Sequence, residues 1–312
     1  MNSRILLTGF SGFVGTRLIS ELGSRELALL GRHQPSKLAF PFFRTELNTV
    51  SDYSEALSDV SVLIHCASRV HMMNESVPNP LMSYREINTF GTLNLARQAA
   101  EAGVKRFIFI STIKVNGEST SEFNVFRHDD KVNPEDAYGI SKTEAEIGLN
   151  QIATQTEMEV VIIRPPLVYG PGVKANFAAM MKLAKKNLPL PLGAIHNKRS
   201  LVALDNLVDL IVTCIDHPNA ANQTFLVSDD QDVSTTELLQ LMTRAAGKKP
   251  WLLPVPISWL RFVGKLTGKS AVIDRLCGNL QVDITHTKET LGWKPPITVE
   301  EGIRRCFSSV EC

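Results

Sequence analysis

The sequence predicts an α/β protein built on a doubly wound parallel sheet, with a smaller C-terminal substrate-binding domain interleaved into its end. Three observations carry that expectation. Short apolar runs alternate with longer amphipathic segments through the first half of the chain. The runs are apolar on both faces, as parallel strands covered by helices must be. A glycine-rich turn joins the first run to the first amphipathic segment, and such a rhythm of strand and helix specifies a parallel sheet.

Residues 4–9 (RILLTG), 27–31 (LALLG), 61–67 (SVLIHCA), 106–112 (RFIFIST) and 159–165 (EVVIIRP) read as the strands. Helices are expected near 13–23, 52–58, 83–102 and 138–155. Residues 173–187 read as helix, 188–193 (LPLPLG) as a proline-bearing extended piece, 199–205 as a strand and 206–217 as an amphipathic helix. From about residue 219 the texture changes to short segments broken by Pro250, Pro254, Pro256, Pro295 and Pro296. The expected division is therefore 1–172, with 199–218 returning to it, as the main domain, and 173–198 with 219–312 as a smaller lid. Residues 259–269 (WLRFVGKLTGK) have a pattern that suits a helix on a membrane surface, but a lid helix with its lysines in solvent is the simpler expectation.

Bulk properties exclude several classes. With 312 residues, 44% of them hydrophobic and 21% charged, the chain can bury a large core in one big domain or two smaller ones. The net charge of +1, from 33 basic and 32 acidic side chains, argues against a nucleic-acid binder. The start, MNSRILLTGF, lacks the apolar stretch of a signal peptide. No run approaches the ~18 apolar residues of a membrane span, so no membrane insertion is expected. Cys66, Cys214, Cys277, Cys306 and Cys312 are scattered, with no CxxC pair. They read as free thiols of a reducing compartment, which places the protein in the cytoplasm. The seven histidines lack the spacings of a metal site, and none is expected.

The turn TGFSGFVG sets Gly9, Gly12 and Gly15 three apart and opens a helix at Val14. Glycines let the backbone turn sharply and approach a pyrophosphate, and the helix start at Phe13 and Val14 offers unpaired N–H groups with a partial positive charge. Placed strand–turn–helix, the triplet points to a dinucleotide and a Rossmann-type sheet. The third strand ends in His65-Cys66-Ala67-Ser68, where small residues such as Ala67 let a cofactor lie across the sheet edge. His65 itself reads as a satisfied buried histidine.

Tyr138 and Lys142 in AYGISK stand four apart on one helix face. A free tyrosine, with a pKa of about 10, moves protons poorly at neutral pH. A nearby ammonium and a cationic nicotinamide favour phenolate and lower that value. Ser111 and Thr112 fall at the carboxyl end of the fourth strand, where open α/β sheets bind ligands. A hydroxyl there can bond the oxygen whose proton Tyr138 handles, although Ser-Thr pairs at strand ends also serve as caps.

Gly9-x2-Gly12-x2-Gly15, Asn88-x2-Gly91-Thr92, Ser111-Thr112 with Val115-x-Gly117, Tyr138-x3-Lys142, RPPLVYGPG (164–172) and LGWKPP (291–296) occur in this order. Together they resemble the extended short-chain dehydrogenase/reductases, in the nucleotide-sugar epimerase/dehydratase/reductase branch, over nearly the whole chain. The resemblance implies Tyr138 as general acid/base, Lys142 as its partner and ligand to the nicotinamide ribose, Thr112 as the residue orienting the sugar oxygen, and Asn88 as the structural fourth member. It also places Ser111 and Pro165 beside the cofactor. Threonine replaces the family's common serine at 112 and keeps the hydroxyl. Asn116 stands where VYG is usual, a departure that bears on the sugar pocket. By the same resemblance, Asn176, Pro191, Leu192 and Arg199 match the positions that clasp the nucleotide of a UDP-sugar substrate, and Arg275 matches a lid arginine less closely. A homodimer through the helices near 90–102 and 138–153 is implied by the family only.

Arg32 follows the second strand, 20 residues after Gly12, where an NAD-binding chain offers an acid to the ribose. An arginine suits the 2′-phosphate of NADP instead, with His33 and Lys37 adding charge. NADP(H) is thus favoured, with NAD(H) open. Exchangeable NADPH suits a reductase, and the branch includes bacterial 4-ketoreductases forming UDP-N-acetylquinovosamine-type sugars for surface polysaccharide synthesis. The expected activity is such hydride transfer at C4 of a UDP-hexose or UDP-hexosamine. A UDP-glucose or UDP-N-acetylglucosamine 4-epimerase is the alternative, and a non-catalytic NADP-binding scaffold or sensor is the alternative of another class. A dehydratase is disfavoured, because Ile113-Lys114 follows Thr112 where an Asp-Glu pair is implied.

Overall fold

A computed structural model describes residues 4–34, 40–70 and 79–308. Along the described residues run β1 (Arg4–Thr8), β2 (Leu27–Gly31), β3 (Phe42–Arg44), β4 (Val60–His65), β5 (Arg106–Ile110), β6 (Glu159–Arg164), β7 (Leu167–Tyr169), β8 (Leu201–Ala203) and β9 (Thr224–Leu226). Between and after them lie α1 (Phe13–Leu22), α2 (Ser54–Leu57), α3 (Pro80–Arg85), α4 (Thr92–Glu101), α5 (Ala137–Gln155), α6 (Ala175–Lys186), α7 (Leu204–Asp216), α8 (Thr235–Ala245), α9 (Ile257–Leu266), α10 (Ser270–Cys277), α11 (Thr285–Leu291) and α12 (Val299–Ser308).

Seven strands form one parallel sheet in the order β3-β2-β1-β4-β5-β6-β9, and β7 pairs with β8 in a second, parallel pair. This is the Rossmann-type doubly wound architecture. Alternate residues explain why both faces are apolar. Ile5, Leu7, Leu29, Ile64 and Ile108 pack on one side with Leu207, Leu210 and Ile211 of α7. Leu6, Ala28, Leu63, Phe107 and Phe109 pack on the other with Leu95 of α4 and Leu149 of α5. Each large side chain so buried contributes about 1.5–3 kcal/mol. Chain order reverses between β1 and β4, and open α/β sheets bind ligands beyond the carboxyl ends of the strands at such a switch point.

Two strands of the sheet carry no clear sequence signal. Both β3 and β9 span three residues, too few for a period to register. Residues 224–226, on the lid side of the expected division, pair with β6 through Ile162↔Thr224 and Arg164↔Leu226 and extend the main sheet. The segment expected as one helix over 83–102 is α3, a π turn at Glu86–Gly91, and α4, capped at its start by the Asn79 side chain. Helix α5 starts one residue ahead of Tyr138, because Asp136 caps it by accepting from the Gly139 N–H at 2.6 Å.

Beyond the sheet, Tyr169, Phe177, Val233, Leu238, Met242 and Ile303 build a separate core under α6, α8 and α12. Helices α9 and α10 form a hairpin in which a Cβ on Gly264 would lie 2.8 Å from the Ile273 side chain. The lysines of 259–269 are in solvent, as expected of a lid helix, but Trp259, Phe262, Val263 and Leu266 are exposed beside them.

Candidate active site

The glycine turn closes against the end of β4. Gly9 holds φ at +69°, and a Cβ there would lie 2.5 Å from the Ala67 nitrogen. A Cβ on Gly15 would lie 2.6 Å from the Phe10 Cα. Both positions therefore need glycine for packing. Gly12 differs: an added Cβ would meet only the Gly9 carbonyl, at 3.1 Å. Helix α1 begins directly after it, with no side-chain cap and no acid in its first turn. The N–H groups of Phe13 and Val14 thus have no intrahelical partner, and the partial positive charge they carry is met by no acid in the first turn. An open glycine beside an uncapped helix start is a cradle that fits a dinucleotide pyrophosphate.

At the end of β2, Arg32 is exposed and forms no ion pair among the described residues. Gly31 pairs with Arg44 of β3, so a second exposed arginine ends beside it. Sequence reading missed Arg44 because β3 itself was not visible. Lys37 lies outside the described residues.

His65 is fully buried between hydroxyls, with Nδ1 2.7 Å from Thr8 Oγ1 and Nε2 3.0 Å from Thr92 Oγ1. Burial, reinforced by the charge of Lys142, holds its pKa down at about 3. It is the satisfied neutral histidine anticipated from sequence.

Tyr138, Lys142 and Glu146 stack at four-residue intervals along α5. Lys142 is 1% exposed, donates to the Ile110 carbonyl at 2.8 Å, and sits 3.8 Å over the Phe109 ring. Burial brings its pKa down to about 7, while the charges of Glu146 and Cys66 push the other way. The expectation of a depressed Tyr138 is not met by the protein alone. Burial pushes its phenol up to about 12, helped by Asp136 and Tyr84 and opposed only by a bond with Ser68. The physical reason is that Lys142 spends its ammonium on a backbone carbonyl and an aromatic face one turn further along the helix.

Asn88 sits in the π turn, 1% exposed. Its amide accepts from the Arg69 N–H at 2.8 Å and donates to the Arg69 carbonyl at 3.0 Å and to Ser141 Oγ at 3.1 Å. It ties the chain leaving β4 to α5, a structural duty. Thr112 caps a short 3-10 turn over Ile113–Val115 by accepting from the Lys114 N–H at 3.3 Å, which leaves its O–H free to donate. Both the capping and the donating readings of this residue therefore fit at once. Pro165 is fixed through its carbonyl, which accepts from the Ile113 N–H at 2.9 Å.

Ser111 turns its hydroxyl to Glu146, and Glu146 in turn pairs with Arg164, Nη2 to Oε2 at 2.6 Å, both nearly out of solvent. Arg164 Nη1 donates to Asn116 Oδ1 at 3.0 Å, and Asn116 Nδ2 donates to the Arg127 carbonyl at 3.0 Å. Asn116 is 3% exposed. The departure at this position therefore completes an internal network instead of reshaping a sugar pocket, because both ends of the amide are occupied. Sequence reading missed Glu146, whose place eight residues after Tyr138 on one helical face was the available signal.

On the lid side, Arg199 donates to the carbonyls of Arg275 at 3.0 Å and Gly278 at 3.2 Å. Burial lowers its pKa, and Arg275 lowers it further. Among the described residues no carboxylate pairs with either arginine. Leu192 is held by Thr236 Oγ1, which donates to its carbonyl at 2.6 Å, with Pro191 exposed beside it. Asn176 stands exposed in the first turn of α6, and no hydrogen bond joins it to Pro191 or Arg199. Among the described residues, no group of three or more His, Cys, Asp or Glu side chains could hold a metal ion.

The model of the NAD dependent epimerase/dehydratase family matches residues 5–228. The chain belongs to that family. It is an enzyme of the extended short-chain dehydrogenase/reductase type. Family relatives include a UDP-glucose 4-epimerase of Vibrio cholerae, 54% identical over 98% of this chain and 94% of its own. An N-acetyl-alpha-D-glucosaminyl-diphospho-ditrans,octacis-undecaprenol 4-epimerase of Escherichia coli O157:H7 is 26% identical over 98% of this chain and 94% of its own. In fold, the family enzyme is similar to the UDP-glucose 4-epimerase of Thermotoga maritima with UDP-glucose, with a TM-score of 0.75 and 21% identity over 98% of both chains. It is also similar to the UDP-glucuronic acid 4-epimerase of Bacillus cereus in complex with NAD, with a TM-score of 0.77 and 18% identity over 99% of this chain and 98% of the other.

Proposed function

We propose that this enzyme transfers hydride at C4 of a UDP-hexose or UDP-hexosamine, with the 4-reduction of a UDP-4-keto-6-deoxy-N-acetylhexosamine as its main activity in surface polysaccharide synthesis. Tyr138 carries a proton to or from the sugar O4, and the free O–H of Thr112 donates to the same oxygen. Lys142 holds the nicotinamide ribose and stabilises the phenolate. Asn88 keeps the chain after β4 and the start of α5 in place. Gly12, Phe13, Val14 and Ala67 line the pyrophosphate cradle, with Gly9, Gly15, Ser111 and Pro165 shaping it. A nicotinamide held beside Lys142, Ser111 and Pro165 would supply the hydride donor or acceptor for the sugar carbon. Asn176, Pro191, Leu192, Arg199 and Arg275 form the nucleotide side. The protein is inferred to work in the cytoplasm, where Cys66, Cys214, Cys277 and Cys306 stay free thiols, and as a homodimer joined through α4 and α5, near which Phe90 and Ile147 are exposed.

The single observation that carries the reductase reading is the end of β2, where exposed Arg32 and not an acid follows the strand and exposed Arg44 pairs in register with the neighbouring Gly31. Two cations there suit the 2′-phosphate of NADPH, a cofactor that must leave after each turnover. The 4-epimerase reading is favoured by the Vibrio cholerae relative. Purified enzyme given UDP-N-acetylglucosamine without added cofactor separates the two. Conversion to the galacto isomer would overturn the reductase reading, whereas NADPH consumption with the 4-keto sugar and no such conversion supports it.

A further inference from the structure

Residues 248–269 hold Lys248, Lys249, Arg261, Lys265 and Lys269 and no acid, in a chain whose net charge is +1. Two of the chain's three tryptophans, Trp251 and Trp259, lie in the same stretch and are 57% and 64% exposed, while Trp293 is buried. Helix α9 has two apolar faces of different fate. Ile257, Leu260 and Gly264 turn inward, and Gly264 meets Ile273 of α10. Trp259, Phe262, Val263 and Leu266, at the spacing of one helical stripe, are 58%, 50% and 71% exposed at the last three positions. Lys265 borders that stripe, whereas Arg261 lies toward α10, 3.6 Å from the carboxylate of Asp274.

We propose that α9 docks this enzyme on an anionic lipid surface, with Trp259, Phe262, Val263 and Leu266 entering the headgroup boundary and Lys249, Lys265 and Lys269 meeting lipid phosphates. An exposed apolar stripe bordered by cations is the design of an interfacial helix, and acid-free charge of this density selects an anionic membrane over a neutral one. A second copy of the chain would bring the same cations against one another. Among the described residues no helix is long and apolar enough to cross a membrane, and the attachment proposed is peripheral. Because α10, which carries Arg275, packs on α9, docking holds the sugar-side corner next to the lipid. The inference uses no residue of the proposed proton transfer and stands apart from the choice of sugar.

The test is sedimentation of the full-length enzyme with phosphatidylcholine vesicles that contain about a third phosphatidylglycerol, against pure phosphatidylcholine. Binding to the anionic vesicles alone, weakened by salt, is expected. The double variant Trp259→Ser/Phe262→Ser and, separately, Lys265→Glu/Lys269→Glu should each weaken it by about tenfold or more, with turnover of soluble substrate unchanged. In the wild type, brominated lipid should quench tryptophan fluorescence, and Trp259→Phe should remove most of the quenching. Equal binding of the variants, or no binding to either vesicle, overturns the proposal. So does a dimer in solution that dissociates on Trp259→Ser while vesicles are ignored, since the stripe would then be a contact between copies.

Discussion

Arg199 donates from Nη1 to the backbone carbonyl of Arg275 at 3.0 Å, so two arginines share one corner of the molecule, and among the described residues no carboxylate pairs with both. Holding two guanidinium groups together costs energy unless an anion joins them, and a diphosphate is an anion of the right charge and reach. Arg199→Ala should weaken UDP binding by about 1.5–3 kcal/mol, roughly 10- to 100-fold. Titration calorimetry with UDP reads this directly, and the effect on KM should exceed the effect on kcat. An unchanged UDP affinity would remove this corner from the substrate site.

The two roles of the glycine turn separate by mutation. Gly15→Ala drives a methyl into the Phe10 backbone, and should destabilise by about 1–3 kcal/mol. Gly12→Ala meets only one carbonyl, at 3.1 Å, and should fold nearly normally while losing cofactor affinity. Thermal melts and fluorescence titration with NADPH measure the two effects, and a Gly12→Ala variant that binds normally would contradict the cradle.

Arg32 and Arg44 should read the 2′-phosphate and nothing else. Arg32→Ala, and more strongly the double replacement with Arg44→Ala, should raise the Kd for NADPH by about 1.5–3 kcal/mol, or 10- to 100-fold, and leave NADH nearly unchanged. A constant NADPH/NADH ratio would assign both cations to solvent.

Lys142 makes stability pH-dependent. Burial lowers its pKa from 10.5 to about 7. Between those values the unfolded chain binds a proton that the folded protein does not, so this group makes stability rise with pH. Below about pH 7 both states carry the charge and the folded state bears the whole cost of burying it. Lys142→Met should therefore stabilise the protein more at about pH 6 than at about pH 10, while abolishing turnover. Equal gains at the two values would show that the ammonium is not buried.

Glu146 and Arg164 are 4% and 7% exposed at their side chains. Glu146→Gln leaves an uncompensated guanidinium inside and should cost about 3–5 kcal/mol. Glu146→Leu combined with Arg164→Met should cost less, because neither charge remains. Urea unfolding distinguishes them, and equal losses would mean the pair contributes only packing.

What the sequence made legible follows from how local each signal is. The glycine turn, the Tyr138-Lys142 spacing and the Ser111-Thr112 strand end are short-range features, and each lies on the element expected for it. Elements β3 and β9 were not visible, because three residues carry no periodicity and their partners lie elsewhere in the chain. Arg44 went unseen with β3. Asn116 drew notice as a departure from the family's VYG that bears on the sugar pocket, and nothing near it in sequence announces its bond to Arg164, 48 residues on. The phenol of Tyr138 was expected to be acidified, but the direction of that shift depends on where Lys142 points, which spacing alone does not encode.

Gly302 of α12 packs on Tyr169 and Ala203, where an added Cβ would lie 2.7 Å from the Tyr169 hydroxyl and 3.1 Å from the Ala203 side chain. The pair β7–β8 is thus closed by a helix made some hundred residues later in synthesis, and Tyr169 finds its bond to Asp229 only after β9 is in place. A ribosome-bound fragment stopped before α12 would hold the residues of the glycine turn but leave the Tyr169–Ala203 face uncovered where Gly302 closes it.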